Sequence, residues 1–175
     1  MIATIEQLKK YTGVNTDDDM MLGMYLDSAA QIVINYLGYS PELETYTDLM
    51  DGGTDTLQLA AKPVDDVQQL KVVGGESIDP GEYHINEERI FLTRELPAGR
   101  RNIMITYSAG YAPEDIPGVI QMTVLRIAAL MQTEADGNIG ITSKQFGDTG
   151  SRTFIQTTNY DKYLKILSRY RIMRI

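Results

Sequence analysis

Few residues in this chain could do chemistry. His84 is the single imidazole, the one side chain type whose ordinary pKa suits proton shuttling near neutral pH. It stands beside Tyr83 in an alternating stretch, with no Ser or Asp partner at a motif spacing, so it reads as a structural or surface residue. Asp17, Asp18 and Asp19 would suit Mg²⁺ only if their carboxylates converged. Three consecutive helical positions point in different directions. Acids also belong in a first helical turn, where orphan N–H groups and the dipole favour negative charge, so capping accounts for this run. Asp48, Asp51 and Asp55 flank Gly52-Gly53, but the spacing of a calcium loop is absent. No G-x-x-x-x-G-K-[ST], G-x-S-x-G or H-E-x-x-H occurs. Cysteine is absent, which excludes disulfides, thiolate zinc sites and cysteine nucleophiles. No catalytic residue, metal site or cofactor is expected, and the chain does not read as an enzyme.

What remains is charge. The formal net charge is −8, which does not suit binding a phosphate backbone through the overall field. It is unevenly spread. Residues 141–175 hold Lys144, Arg152, Lys162, Lys165, Arg169, Arg171 and Arg174 against Asp148 and Asp161, so this segment is +5 and residues 1–140 are −13. The last eight residues, SRYRIMRI, hold three Arg and no acid. Cations favour a helix C-terminus. A basic tail can equally dock on an acidic partner or on the acidic body of a neighbouring copy.

The elements that must position these charges follow from periodicity. At 175 residues and 19.6 kDa there is room for one domain with a small insertion. No apolar run approaches a membrane span, and the N-terminus lacks the apolar core of a signal peptide. A short helix is expected over 4–10, with Thr4 and Gln7 spaced as a capping box and Gly13 just beyond. A long helix opens at Asp17-Asp18-Asp19 and runs to Leu37, with Gly38 as its cap. Its stripe is Met21, Tyr25, Ala29, Ile32 and Tyr36, widened by Met24, Leu26, Ala30, Val33 and Leu37. Residues 41–53 break the pattern. From 54 to 107 the period becomes 2, giving about five short strands, the clearest being 103–107. Asp115 and Pro117 then suit the start of a second long helix to Glu134, which should pair with the first. Residues 136–158 are polar and Gly-rich, long for an unstructured loop. A last helix is expected over 160–171, with Tyr163, Leu164, Leu167 and Tyr170 on one face. The nine Met and eleven Tyr suit core packing, or in the other reading an adaptable subunit interface.

The expected fold is α+β: a helical body of two long and two shorter helices, with a small antiparallel β domain inserted between the long ones. Residues 1–50 and 111–136 make the helical body and 51–110 the β domain. Residues 137–159 are a flexible loop, and 160–175 the C-terminal helix and basic tail.

Several phrases resemble one known family. They are "TIEQLKKYTGV", "DDDMMLGMYLDSAAQIVINYLGY", "DGGTDTLQLAAKPVDDVQQLKVVGG", "NIMITYSAGYAPEDIPGVIQMTVLRIAALM", "GITSKQFGD" and "YLKILSRYRI". Their combination, covering nearly the whole chain, resembles the head–tail connector proteins of tailed bacteriophages, also called adaptor or head-completion proteins. The resemblance implies a structural, non-enzymatic virion protein of the neck between capsid and tail, assembled in the host cytoplasm. It implies a homo-oligomeric ring, usually a dodecamer, beneath the portal protein. Such a ring extends the DNA channel, with passing rather than sequence-specific DNA contact, and is a platform for the stopper or tail-completion protein. No membrane is involved. The alternative is another neck component, stopper-like and also non-enzymatic. Carried over to this chain, the portal-binding positions are Lys165, Arg169, Tyr170, Arg171 and Arg174. Phe146, Arg152 and Phe154 are candidate partner contacts in the 137–158 loop. The acid-rich body is expected to give a channel wall that repels DNA.

Overall fold

A computed structural model describes residues 1–14, 18–135, 143–146, 150–153 and 160–172. The architecture is α+β, with four helices and small antiparallel sheets. The chain divides into two compact units. Met1–Tyr36 and Pro117–Tyr170 form a helical unit; Leu37–Ile116, joined by Arg171 and Ile172, form a β unit.

In the helical unit, α1 spans Ile5–Thr12 and ends two residues later than its periodicity suggests. Thr4 Oγ1 accepts from the Gln7 N–H at 3.2 Å and Gln7 Oε1 from the Thr4 N–H at 2.8 Å, closing the capping box. Gly13 ends the helix at φ 71°, a left-handed conformation that suits a residue without Cβ. α2 spans Asp19–Leu37. Asp18 Oδ1 accepts from the Met21 N–H at 3.1 Å, and Asp19 pairs with Lys9 Nζ at 2.6 Å. Asp18 thus caps α2, and Asp19 in its first turn pairs with the last turn of α1; Asp17 lies outside the described residues.

The buried stripe of α2 differs from the expected one. It is Leu22, Leu26, Ala29, Val33 and Leu37, while Met20, Met21 and Met24 are exposed and Tyr25, Ile32 and Tyr36 half-buried. Apolar residues surround most of this helix, so periodicity does not choose a face, and packing selects the branched aliphatics. No methionine among the described residues is buried, against the expectation that most would pack in a core.

α3 spans Gly118–Ala135. Asp115, expected as its cap, instead lies in the preceding turn with its N–H on the Ala112 carbonyl at 2.9 Å. The Pro117 carbonyl accepts from Ile120 and Gln121, so the helix begins after the proline. Ile120, Thr123, Val124, Leu125, Ile127, Ala128 and Gln132 are buried. The backbone of α3 comes close to that of α1 and of the C-terminal helical segment. No described helix is long and apolar enough to cross a membrane.

The β unit has two three-stranded antiparallel sheets. β1 (Glu44–Met50), β6 (Ile103–Ala109) and β3 (Val64–Val72) form one in the order β1-β6-β3. β2 (Thr56–Gln58), β5 (Arg89–Leu92) and β4 (Tyr83–Asn86) form the other in the order β2-β5-β4. β6 is central, and Ile103, Ile105, Tyr107 and Ala109 bury one face of its alternation. β1 occupies the stretch expected to break the pattern. Its half-buried phase is Tyr46, Asp48 and Met50, and the acid hid the alternation.

Within the stretch expected as a loop, β7 (Ser143–Phe146) and β8 (Gly150–Thr153) form an antiparallel hairpin. The expected last helix is a single α-turn, α4 (Asp161–Leu164), continued as a tighter 3₁₀ segment over Lys165–Tyr170.

Candidate functional site

The C-terminal segment is anchored by its aliphatic residues. Leu164 and Leu167 are buried in the helical unit. In the β unit, Ile172 is buried and its N–H donates to the Leu37 carbonyl at 3.0 Å. With the leucines facing inward, Lys162, Lys165 and Arg169 are left exposed, together with Ile166 at 54% exposure. The Arg169 guanidinium lies 4.8 Å from the centre of the half-buried Tyr170 ring, a cation–π contact that limits the freedom of both side chains. A basic face with one apolar residue in its middle is suited to a protein partner, since its anchors are partly ordered before contact. Upstream, burial first and the Glu134 charge second raise the Tyr160 hydroxyl pKa above its ordinary value.

The predicted site residues fall in different places. Lys165, Arg169 and Tyr170 share the 3₁₀ segment of the helical unit, while Arg171 belongs to the β unit. Phe146 stands opposite Gly150, and Arg152 opposite Lys144, in the hairpin register. Arg174 and Phe154 lie outside the described residues. Sequence reasoning passed over Ile166. The signal was available, because Ile166 falls off the Leu164/Leu167 stripe and between Lys162, Lys165 and Arg169.

The acids near Gly52-Gly53 are occupied structurally. Asp48 accepts a 2.8 Å hydrogen bond from the Tyr107 hydroxyl, which itself accepts the Ala60 N–H at 3.0 Å. Burial, with Asp48 second, pushes the Tyr107 pKa far above its ordinary value. Tyr46 stacks on Tyr107 with ring centres 5.5 Å apart. Asp51 accepts from the Arg101 N–H at 2.7 Å, and Asp55 from the Thr56 hydroxyl at 3.0 Å. His84 is exposed and stacks on Phe91 at 5.0 Å. Among the described residues no three His, Asp or Glu side chains are grouped to hold a metal. A shallow groove of about 220 Å³ in the helical unit is lined by Tyr11, Arg126, Ala129, Leu130, Thr133 and Tyr163, with no acid or imidazole.

Among the described residues, the feature that stands out is thus the exposed basic face of the C-terminal segment. The chain belongs to the head completion protein family, whose sequence model matches residues 1–172. Its fold is shared with chains in three solved structures. The neck of an empty gene transfer agent particle computed with C6 symmetry matches at 16% identity, covering 98% of this chain and 90% of that chain, with a TM-score of 0.61. The neck of the native particle computed with C12 symmetry matches at 16% identity, covering 98% and 89%, with a TM-score of 0.62. The virion of the native gene transfer agent particle matches at 15% identity, covering 98% and 90%, with a TM-score of 0.61. No curated protein matches the sequence at a significant level.

Proposed function

We propose that this chain is the adaptor of a phage-type neck: a structural, non-enzymatic ring beneath the portal that extends the DNA channel and receives the stopper or tail. The observation that carries this reading is the match over residues 1–172 to the head completion family. Likeness in fold to chains of a particle neck, one of them computed with C12 symmetry, supports a ring of twelve. The ring needs heterologous interfaces, one face of a subunit on a different face of the next.

The portal contact is made by the basic C-terminal segment. Lys165, Arg169, Tyr170 and Arg171, with Arg174 beyond them, meet an acidic portal surface, and Ile166 enters an apolar pocket there. The hairpin residues Phe146 and Arg152, with Phe154, contact a second partner. The acid-rich remainder of the chain lines the channel and repels DNA in transit.

The test is the native mass of the full chain, alone and mixed with the portal ring. A complex with about one chain per portal subunit is expected. Lys165→Glu with Arg169→Glu should weaken portal binding by at least about tenfold and leave the fold intact. Full-strength binding by the double variant would overturn the tail's role. Binding to a tail component and not to the portal would move the chain to the stopper position.

A further inference from the structure

The two edges of the β1-β6-β3 sheet are managed differently. β3 carries two register shifts, between Val64 and Asp66 and between Val67 and Gln69. Its outer edge is also covered: the Val72 N–H donates to Glu76 at 3.0 Å, the Ile78 N–H to Leu70 at 2.8 Å, and Lys71 bridges to Ser77. Bulges and covering segments are how native sheets blunt an edge. β1 has neither. It pairs with β6 in unbroken register from Glu44↔Ala109 to Met50↔Ile103. Among the described residues no strand or loop hydrogen-bonds its other side. Alternate residues of an antiparallel edge strand turn their N–H and C=O groups outward, so this edge is a template for another strand. The remaining edge strands of the β unit, β2 and β4, are only three and four residues long.

The helical unit holds the complementary object. Among the described residues β7 and β8 pair only with each other, and a lone two-stranded hairpin is marginal in water. Its strands, SKQF and GSRT, contain Lys144 and Arg152 and no acid. β1 and its flanks contain Glu42, Glu44, Asp48 and Asp51 and no base. The unpaired hairpin and the open edge therefore carry opposite charge.

We infer that the β7–β8 hairpin of one copy adds to the free edge of β1 in the next copy, extending β1-β6-β3 across the subunit boundary. This rests on the ring reading above and names the occupant of the partner-contact hairpin: a second copy of this chain. The contact is heterologous, as a closed ring requires, and satisfies backbone groups on edges that have no partner among the described residues.

The test compares amide hydrogen exchange in the free and the assembled full-length chain, with native mass defining each state. Assembly should slow exchange across 45–49 and across 143–146 and 150–153 by at least about tenfold. Lys144→Glu with Arg152→Glu should cut the assembled fraction by about tenfold without changing the free chain's Tm, and adding Glu44→Lys should restore assembly. A ring whose β1 and hairpin amides exchange as in the free chain overturns the inference and leaves the ring intact. So does β1 protection that arises only when the portal or a tail component is added, or full assembly by the charge-reversed hairpin. A chain that stays monomeric even with the portal overturns the ring reading, and this inference with it.

Discussion

The helical unit and the β unit satisfy their polar groups over different distances along the chain. In the helical unit the capping and helix-surface side chains bond within about one turn, and the Lys9–Asp19 ion pair reaches ten positions, from the end of α1 to the start of α2. Thr4 with Gln7, Asp18 with Met21, Thr12 with Leu8, Thr123 with Val119 and Thr133 with Ala129 are all of the one-turn kind. In the β unit local bonds such as Thr56–Asp55 are joined by a set that links segments far apart in sequence. Tyr107 to Asp48 and Thr47 to Thr106 span 59 positions, Arg101 to Asp51 and Asn102 to Gly52 span 50, and Ser108 to Asp65 spans 43. Loss of a local bond leaves its helix ladder in place and its group near water. Tyr107–Asp48 and Asn102–Gly52 are partly buried, and losing either leaves a donor or acceptor partly shielded from water, where its desolvation is no longer offset. The β unit should therefore be the more sensitive of the two to single polar or backbone changes.

Gly52→Ala should have the largest effect. A Cβ there would run into the Pro97 carbonyl oxygen and the Asn102 side chain, whose Oδ1 accepts the Gly52 N–H at 2.9 Å. A loss of about 3 kcal/mol in urea unfolding is expected, because backbone must shift to relieve the overlap. A loss below half of that would mean the 52–102 corner yields easily.

Tyr107→Phe comes next, at about 2 kcal/mol, since Asp48 and the Ala60 N–H both lose their buried partner. It also has a pH signature. Burial and Asp48 raise the Tyr107 pKa above its ordinary 10.0, so the folded chain keeps a proton that the unfolded chain releases. The stability tied to this hydroxyl is fully present below pH 10 and is lost as pH rises beyond it. Unfolding measured from about pH 9 to 11 should show a steeper decline for the natural chain than for Tyr107→Phe; equal slopes would remove Tyr107 as the cause.

In the helical unit the effects shrink. Thr4→Ala should cost about 1 kcal/mol through loss of the α1 cap, read from the same urea transition. Thr123→Val should stay within about 0.5 kcal/mol although Thr123 is buried, because its hydroxyl bonds only a carbonyl already used by the helix. If Thr123→Val costs as much as Tyr107→Phe, the contrast between the units fails.

The same contrast decides how much could be read in advance. The α1 capping box and Gly13 are visible in sequence because their bonds close within one turn, and the alternation of β6 because its inward phase is uniformly apolar. β1 was missed because its half-buried phase contains Asp48, and only Tyr107, 59 positions away, makes an acid acceptable there. The basic character of the C-terminal segment is plain from composition, while the exposure of Ile166 depends on Leu164 and Leu167 finding the interior.

By itself the sequence determined the start of α1, the central strand, the absence of cysteine and the concentration of positive charge after residue 140, because each depends on neighbours within a few positions or on composition alone. Tertiary structure alone decided which face of α2 is buried, that the described methionines stay outside the core, and that β3 is a guarded edge while β1 has no partner on its outer side among the described residues. Those outcomes rest on which segments meet across long stretches of chain, where local pattern leaves several arrangements nearly equal and packing selects among them.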